Sequence, residues 1–222
     1  AHRVSGDTGR IAGAVGIDFA PCSMNCSFCS FGERWGVIGE EVVYTEDEVI
    51  AMVRAYVEQG ATMVTLRSPE FYDLDVLQEW IADIRAQVPG SYEINMNVGE
   101  LTPERAQAIW ECGATSAYHV LRLREGEDTP FDPEVRIATI RAIAASPLLL
   151  GTCVEPIGPE HTDDELADGI LFGLECSAYS GGVMARVPVP GTPLEHAGTI
   201  SEDRLMQILA VERIVAGSQY ER

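Results

Sequence analysis

Cys22, Cys26 and Cys29 stand together in DFAPCSMNCSFCSFG, residues 18–32, with no fourth cysteine nearby. Three thiols are too many for one disulfide and one too few for a closed zinc site. They suit an iron–sulfur cubane: such clusters are held by thiolates, and three protein ligands on four irons leave one iron open to another group. The Cys-x3-Cys-x2-Cys spacing lets a single loop wrap three corners of one cube. Structural zinc is the competing reading. It needs a fourth Cys or His at a typical spacing, and neither occurs between residues 30 and 111. Three cysteines gathered by coincidence is the remaining one.

A loop of this kind needs a scaffold, and the chain supplies short apolar runs alternating with amphipathic stretches. Strands are expected over 11–19, 62–67, 92–98, 115–123, 148–157 and 181–189. Helices are expected over 45–60, 73–88, 102–113, 132–146, 162–175 and 201–217. The punctuation supports them. Thr45 with Glu48, and Thr162 with Glu165, have the spacing of capping boxes; Thr102 precedes Pro103 at a first helical position; Gly60 and Gly113 act as stops. Six strand–helix pairs in series imply parallel pairing with right-handed crossovers. The expected fold is α/β, a parallel (β/α) barrel in partial (β/α)6 form, open at the side, or a TIM barrel whose last units are cut off. No linker divides residues 1–222, so one domain is expected. Because it begins at Ala1 and enters a strand almost at once, it reads as a core trimmed at its ends.

In a parallel barrel the chemistry collects where strands end. The cysteine loop follows the first strand. Arg67, Ser68 and Glu70 follow the second, Asn95 and Asn97 lie on the third, and Arg122 and Arg124 end the fourth. Cys153 and Glu155 end the fifth and Arg186 the sixth, so polar groups should converge on one mouth.

Composition narrows the partners. Of 222 residues 35 are acidic and 15 basic, every basic one an arginine, for a formal charge of -20. Such a surface repels nucleic acid and anionic lipid. No apolar run is long enough to span a membrane and no leader pattern opens the chain, which reads as soluble and cytoplasmic. Six cysteines are few for a disulfide scaffold, and clustered thiols in a reducing compartment suggest a metal.

PCSMNCSFC resembles the CxxxCxΦC signature of radical S-adenosylmethionine (radical SAM) enzymes, with Phe28 as the aromatic before the third cysteine. The resemblance implies a 4Fe-4S cluster on Cys22, Cys26 and Cys29, its open iron chelated by the amino and carboxylate groups of S-adenosylmethionine. It implies an external electron donor of flavodoxin or ferredoxin type, and a 5'-deoxyadenosyl radical that takes a hydrogen atom from a small-molecule substrate. NVGELTPERAQAIWECGA and VPVPGTPLE resemble segments of the group holding biotin synthase, the FeFe-hydrogenase maturase and methylornithine synthase.

Carried over residue by residue, Arg136 matches the family arginine that pairs with the S-adenosylmethionine carboxylate, for which a guanidinium fork is an apt donor. Arg67 and Ser68 occupy the place of the Gly-Gly-Glu segment that contacts the methionyl amine. Phe28 is expected near the adenine, and Asn97 and Arg122 complete the cofactor-facing set. Cys153, Glu155 and His119, the last expected to point inward, are the candidate catalytic groups; Arg122 with Arg186 is expected to grip a substrate carboxylate. One departure matters. Biotin synthase holds a second, sacrificial cluster on barrel cysteines, and only Cys153 matches one of them, Asn95 replacing another. Sulfur insertion is therefore disfavoured and needs a non-standard auxiliary cluster. Rearrangement, cleavage, metallocofactor maturation and group insertion all stay open. The alternative of another class is a non-enzymatic iron–sulfur or zinc-binding protein.

Overall fold

The computed structural model describes residues 9–221. Its elements run β1 (Ala12–Gly16), α1 (Glu46–Glu58), β2 (Met63–Arg67), α2 (Leu74–Gln87), β3 (Glu93–Asn97), α3 (Pro103–Glu111) and β4 (Ser116–Tyr118). They continue with α4 (Pro133–Ala145), β5 (Leu149–Gly151), β6 (Val154–Ile157), α5 (Asp163–Glu175), β7 (Val183–Ala185) and α6 (Glu202–Ala216). Strands β1 to β5 form one parallel sheet in sequential order, and β6 pairs in parallel with β7. Among the described residues no ladder joins β7 to β1, so the barrel is open there. No helix is long and apolar enough to cross a membrane.

Local chemistry starts the helices where expected. Thr45 and Glu48, and Thr162 and Glu165, form reciprocal capping boxes, and Thr102 caps α3 ahead of Pro103. Alternation along the strands then divides two environments. Val64, Leu66, Ile94, Met96, Ala117 and Leu150 point toward the helices and pack with Val53 of α1, Ile81 of α2, Ile109 of α3 and Ile140 of α4 in one core. Each of the buried valine, leucine, isoleucine and methionine side chains contributes roughly 1.5–3 kcal/mol. The other face carries Thr65, Asn95, Asn97, Ser116, Tyr118, Cys153 and Glu155, and Asn95 donates its amide to Thr65 Oγ1 at 3.1 Å. This polar face is the barrel interior.

The expected fifth strand, 148–157, is two strands. Up to Gly151 it is laddered to β4, but β4 ends at Tyr118, and beyond it Thr152 and Val154 have partners on the other side, their amides donating to Ser180 O and Gly182 O. Contact with the β4 side resumes at the Leu123 amide, which donates to Glu155 O at 2.8 Å. The first, fourth and sixth strands are also shorter than their apolar runs, because residues beyond the paired stretch leave the ladder.

Candidate functional site

The cysteine loop leaves the end of β1 and is closed by its own backbone. The Cys22 amide donates to Phe31 O at 2.6 Å, Glu33 N–H to Cys22 O at 3.1 Å, and Cys29 N–H to Cys26 O at 3.0 Å. Asn25 takes a left-handed conformation, φ 51°, a region that asparagine tolerates, and its Oδ1 accepts the Arg34 amide at 2.9 Å. Trp35 donates its indole N–H to Cys26 O at 3.1 Å. Ser27 ties the loop outward, its amide donating to Asp128 O and its carbonyl accepting from Leu194 N–H. Cys26 is buried and Cys22 and Cys29 half-buried. Burial pushes the Cys26 thiol up to about 12, with Arg122 opposing the rise and Cys29 and Cys22 adding to it. Cys29 is also raised by burial, against an N–H···S bond from Phe31 and the charge of Arg122. Cys26 and Cys29 therefore share one cation, Arg122.

They do not converge on a single ion. Among the described residues, the group of His, Cys, Asp and Glu donor atoms lying within 4.8 Å of one another is Asp128, Glu160 and His161. Thiolates sharing one zinc ion, each at about 2.3 Å, would sit closer together than that. Three corners of a cube need the wider spread. The Asp128, Glu160 and His161 group is unsuited to a metal for another reason. His161 Nδ1 accepts the Gly158 amide at 2.9 Å, which places the proton of the neutral ring on Nε2 and removes that lone pair from coordination.

Arg136, near the start of α4, is 3% exposed and packed among carboxylates from three loops. Its Nη1 lies 2.8 Å from Glu100, Nη2 3.4 Å from Glu70 and Nε 3.8 Å from Glu125, and the guanidinium sits 3.6 Å over the Phe131 ring. Gly99 permits this, because a Cβ there would overlap the Glu70 carbonyl oxygen. Burial raises the Glu70 carboxyl, with Arg136 opposing and Glu100 adding. Burial also works against the charge of Glu100, but hydrogen bonds from His119 and Thr139 outweigh it and hold that carboxyl below its ordinary value. Glu100, Glu125 and Phe131 were missed by the sequence reading; the signal available was an acidic residue two positions ahead of the Thr102 cap.

His119 does not point inward. It shares its strand face with Ala117, toward the helices, and its Nε2 lies 3.2 Å from both Arg136 Nη1 and Glu100 Oε2. Strand parity decides this, since residues two apart share a face. Burial, opposed by Glu100, lowers its pKa and keeps the ring neutral.

Other expected residues are placed as follows. Arg67 is exposed at the end of β2, on the same face as Thr65. Ser68 is half-buried, its hydroxyl donating to Pro69 O and its amide to Asn97 O at 3.1 Å. Phe28 and Asn97 are half-buried. Cys153 and Glu155 face the interior with Tyr118, whose hydroxyl donates to Glu155 Oε2 at 2.9 Å; burial, then Glu155, raises the Cys153 thiol. The Arg122 and Arg186 pair is not assembled. Arg186 is ion-paired with Glu160 and donates to Gly198 O at 3.2 Å, while Arg122 lies by Glu125. Arg124 is likewise engaged, by Glu165 and the Glu160 carbonyl.

Comparison with known proteins adds three findings. A family model described as the radical SAM superfamily matches residues 19–121. A biotin synthase from Streptomyces avermitilis is 30% identical over 213 residues, covering 90% of this chain and 54% of that protein. One from Streptomyces coelicolor is also 30% identical, covering 90% and 51%. The chain thus spans about half the length of these curated relatives. Among solved structures, methylornithine synthase superposes with a TM-score of 0.84 at 16% identity, over 96% of this chain and 64% of that one. The FeFe-hydrogenase maturase HydG from Carboxydothermus hydrogenoformans gives 0.82 at 19%, over 96% and 53%. At such identities the likeness is one of fold.

Proposed function

The chain belongs to the radical SAM superfamily, and from that premise we propose that it is the core of an enzyme that cleaves S-adenosylmethionine reductively to take a hydrogen atom from a small polar molecule. The observation that carries this reading is the thiol loop: three cysteines on one closed turn, spaced too widely for a single ion, with the half-buried Arg122 beside Cys26 and Cys29. Cys22, Cys26 and Cys29 would hold a 4Fe-4S cluster with one iron left to the methionyl group of the cofactor. Together, the bound pair supplies one-electron cleavage of a sulfonium bond and, through it, hydrogen abstraction.

The chain's own residues bind, orient and screen. Arg136, stacked on Phe131, would take the cofactor carboxylate in exchange for one of the three glutamates that hold it, and Ser68 and Asn97 lie at the ends of the adjoining strands, joined by the Ser68 amide and Asn97 O. Phe28 would pack beside the adenine. On the interior face Thr65, Asn95, Tyr118 and Glu155 give a substrate hydrogen-bond partners, with Cys153 beside them. A substrate carboxylate falls to Arg67, which shares that face, since Arg186 is bound to Glu160. The electron comes from an external donor of flavodoxin or ferredoxin class. After abstraction the substrate rearranges, breaks a bond or accepts a group. Sulfur insertion is disfavoured because Asn95 and Thr65 occupy the interior of β2 and β3 where thiols would be needed.

The test is anaerobic reconstitution with iron and sulfide, then dithionite and S-adenosylmethionine. About four irons per chain and release of 5'-deoxyadenosine, both lost in the Cys22, Cys26 and Cys29 alanine variants, are expected. One tightly bound zinc with no cleavage would overturn the reading.

A further inference from the structure

Arg122 has no evident structural need for the position of its guanidinium. The main chain around it is already fixed: its own amide donates to Glu125 Oε2 at 2.9 Å, and the next amide, of Leu123, to Glu155 O at 2.8 Å. The side chain reaches past these bonds. Nη1 stops 3.9 Å from Glu125 Oε2 and is buried with no hydrogen-bond acceptor, while the guanidinium carbon stands 5.8 Å over the Phe131 ring. Glu125 does not require that nitrogen, because it is also served by the Thr129 hydroxyl and lies 3.8 Å from Arg136. What remains near the guanidinium is the thiol loop. The Ser27 amide, between Cys26 and Cys29, donates at 2.8 Å to Asp128 O, on the turn that Arg122 opens.

We propose that Arg122 turns its unpartnered Nη1–H toward the sulfur of a cluster held by Cys26 and Cys29 and thereby sets that cluster's reduction potential. Hydrogen bonds to the sulfurs, net charge and solvent exposure are the levers a protein has on such a potential. Taking up an electron makes the cluster more negative, so a fixed cation beside it favours the reduced state. A buried N–H without an acceptor is otherwise costly, and sulfur supplies one. Glu125 works in the opposite sense, since its carboxylate next to Arg122 offsets part of the cation's field at the cluster. Arg122 thus acts through the cluster and not on substrate. The inference rests on the cluster reading above and deepens it.

The experiment is a redox titration of the reconstituted protein, followed by electron paramagnetic resonance without S-adenosylmethionine, for wild type, Arg122→Gln, Arg122→Lys and Glu125→Gln, with iron counted in each. Arg122→Gln should lower the midpoint by roughly 60 mV, a tenfold change in a one-electron equilibrium. Arg122→Lys, which keeps the charge, should recover most of that, and Glu125→Gln should raise the midpoint above wild type. An Arg122→Gln midpoint equal to wild type at full iron content overturns the proposal. If Arg122→Gln does not hold iron, the other two variants decide: a Glu125→Gln midpoint at or below wild type overturns it equally. A wild-type protein that assembles no cluster overturns the cluster reading itself, a result separate from any change among variants.

Discussion

Arg136 Nη1 lies 2.8 Å from Glu100 Oε1, and that ion pair joins the start of α4 to the turn between β3 and α3. Glu70, Glu100 and Glu125 all face this one guanidinium, so removing it takes the cation from a group of buried and half-buried carboxylates. Arg136→Ala should cost about 3–5 kcal/mol of stability, the usual penalty for breaking a buried pair from one side. Arg136→Lys keeps the charge but loses the fork, and it is the cleaner test of binding. Both variants should keep the iron content of wild type, since no ligand thiol is touched, and bind S-adenosylmethionine at least tenfold more weakly by equilibrium dialysis. Unchanged affinity in Arg136→Lys rejects the carboxylate-binding role.

What was legible in the sequence was local in the sequence. Three thiols on one turn and a cap with its partner three residues away report themselves, because the contacts they make lie within the same stretch. The surroundings of Arg136 were not legible. They come from residues up to 66 positions away, and no periodicity marks Glu70, Glu100 or Glu125 as neighbours of one cation. His119 failed for a smaller reason: alternation was clear, but which parity faced the helices was fixed only by Ala117 packing into the core. Arg186 was placed at the mouth, yet Glu160, from the neighbouring loop, had already claimed it. The fifth strand read as one run because apolar composition is blind to the loss of a partner on one side.

Glu212 should give the protein a pH-dependent stability. It is buried on α6, near the Cys153 thiol and the Tyr220 phenol. Burial pushes its carboxyl up to about 7 from an ordinary 4.5, against the charge of Arg213 and the Gly182 amide. Burial also raises Tyr220, to about 12, so the phenol stays neutral through this window. A raised folded-state value means that the folded chain holds a proton the unfolded chain has shed. The contribution is fully present below about pH 4.5 and lost as pH rises through about 7. Thermal melts from pH 5 to pH 8 should show it, with Glu212→Gln gaining more in melting temperature at pH 8 than at pH 5. Equal gains at both pH values reject the assignment.

Gly32 should matter to the cluster without touching it. A Cβ at this position would overlap the Trp35 indole nitrogen, the donor to Cys26 O. Gly32→Ala must therefore move the indole and cut one of the bonds that close the loop, an overpacking cost of about 1–3 kcal/mol. Trp35→Phe removes the same donor without the clash. Iron release to a chelator, followed at the cluster's visible absorbance, should be several times faster in both. Release at the wild-type rate in both would mean that the loop is held without Trp35.

The interior of the barrel predicts one cluster and no second. Cys153 faces Tyr118 and Glu155, and the neighbouring interior positions are Asn95 and Thr65, which hydrogen-bond to each other. One thiol with oxygen and amide neighbours is a poor set for an auxiliary iron–sulfur cluster, which draws on several thiolates. Iron and sulfide counted on reconstituted protein should thus stand near four of each, typical of a single cubane, and Cys153→Ala should leave both counts unchanged. A wild-type count near six that falls to four in Cys153→Ala would place a second cluster on this thiol, and sulfur transfer would return as the reaction to test. With the count unchanged, Cys153→Ala separates two remaining roles by whether 5'-deoxyadenosine release persists. Continued release means that the thiol acts after cofactor cleavage, on the substrate side, whereas loss of release with full iron content would assign Cys153 to positioning the cofactor itself.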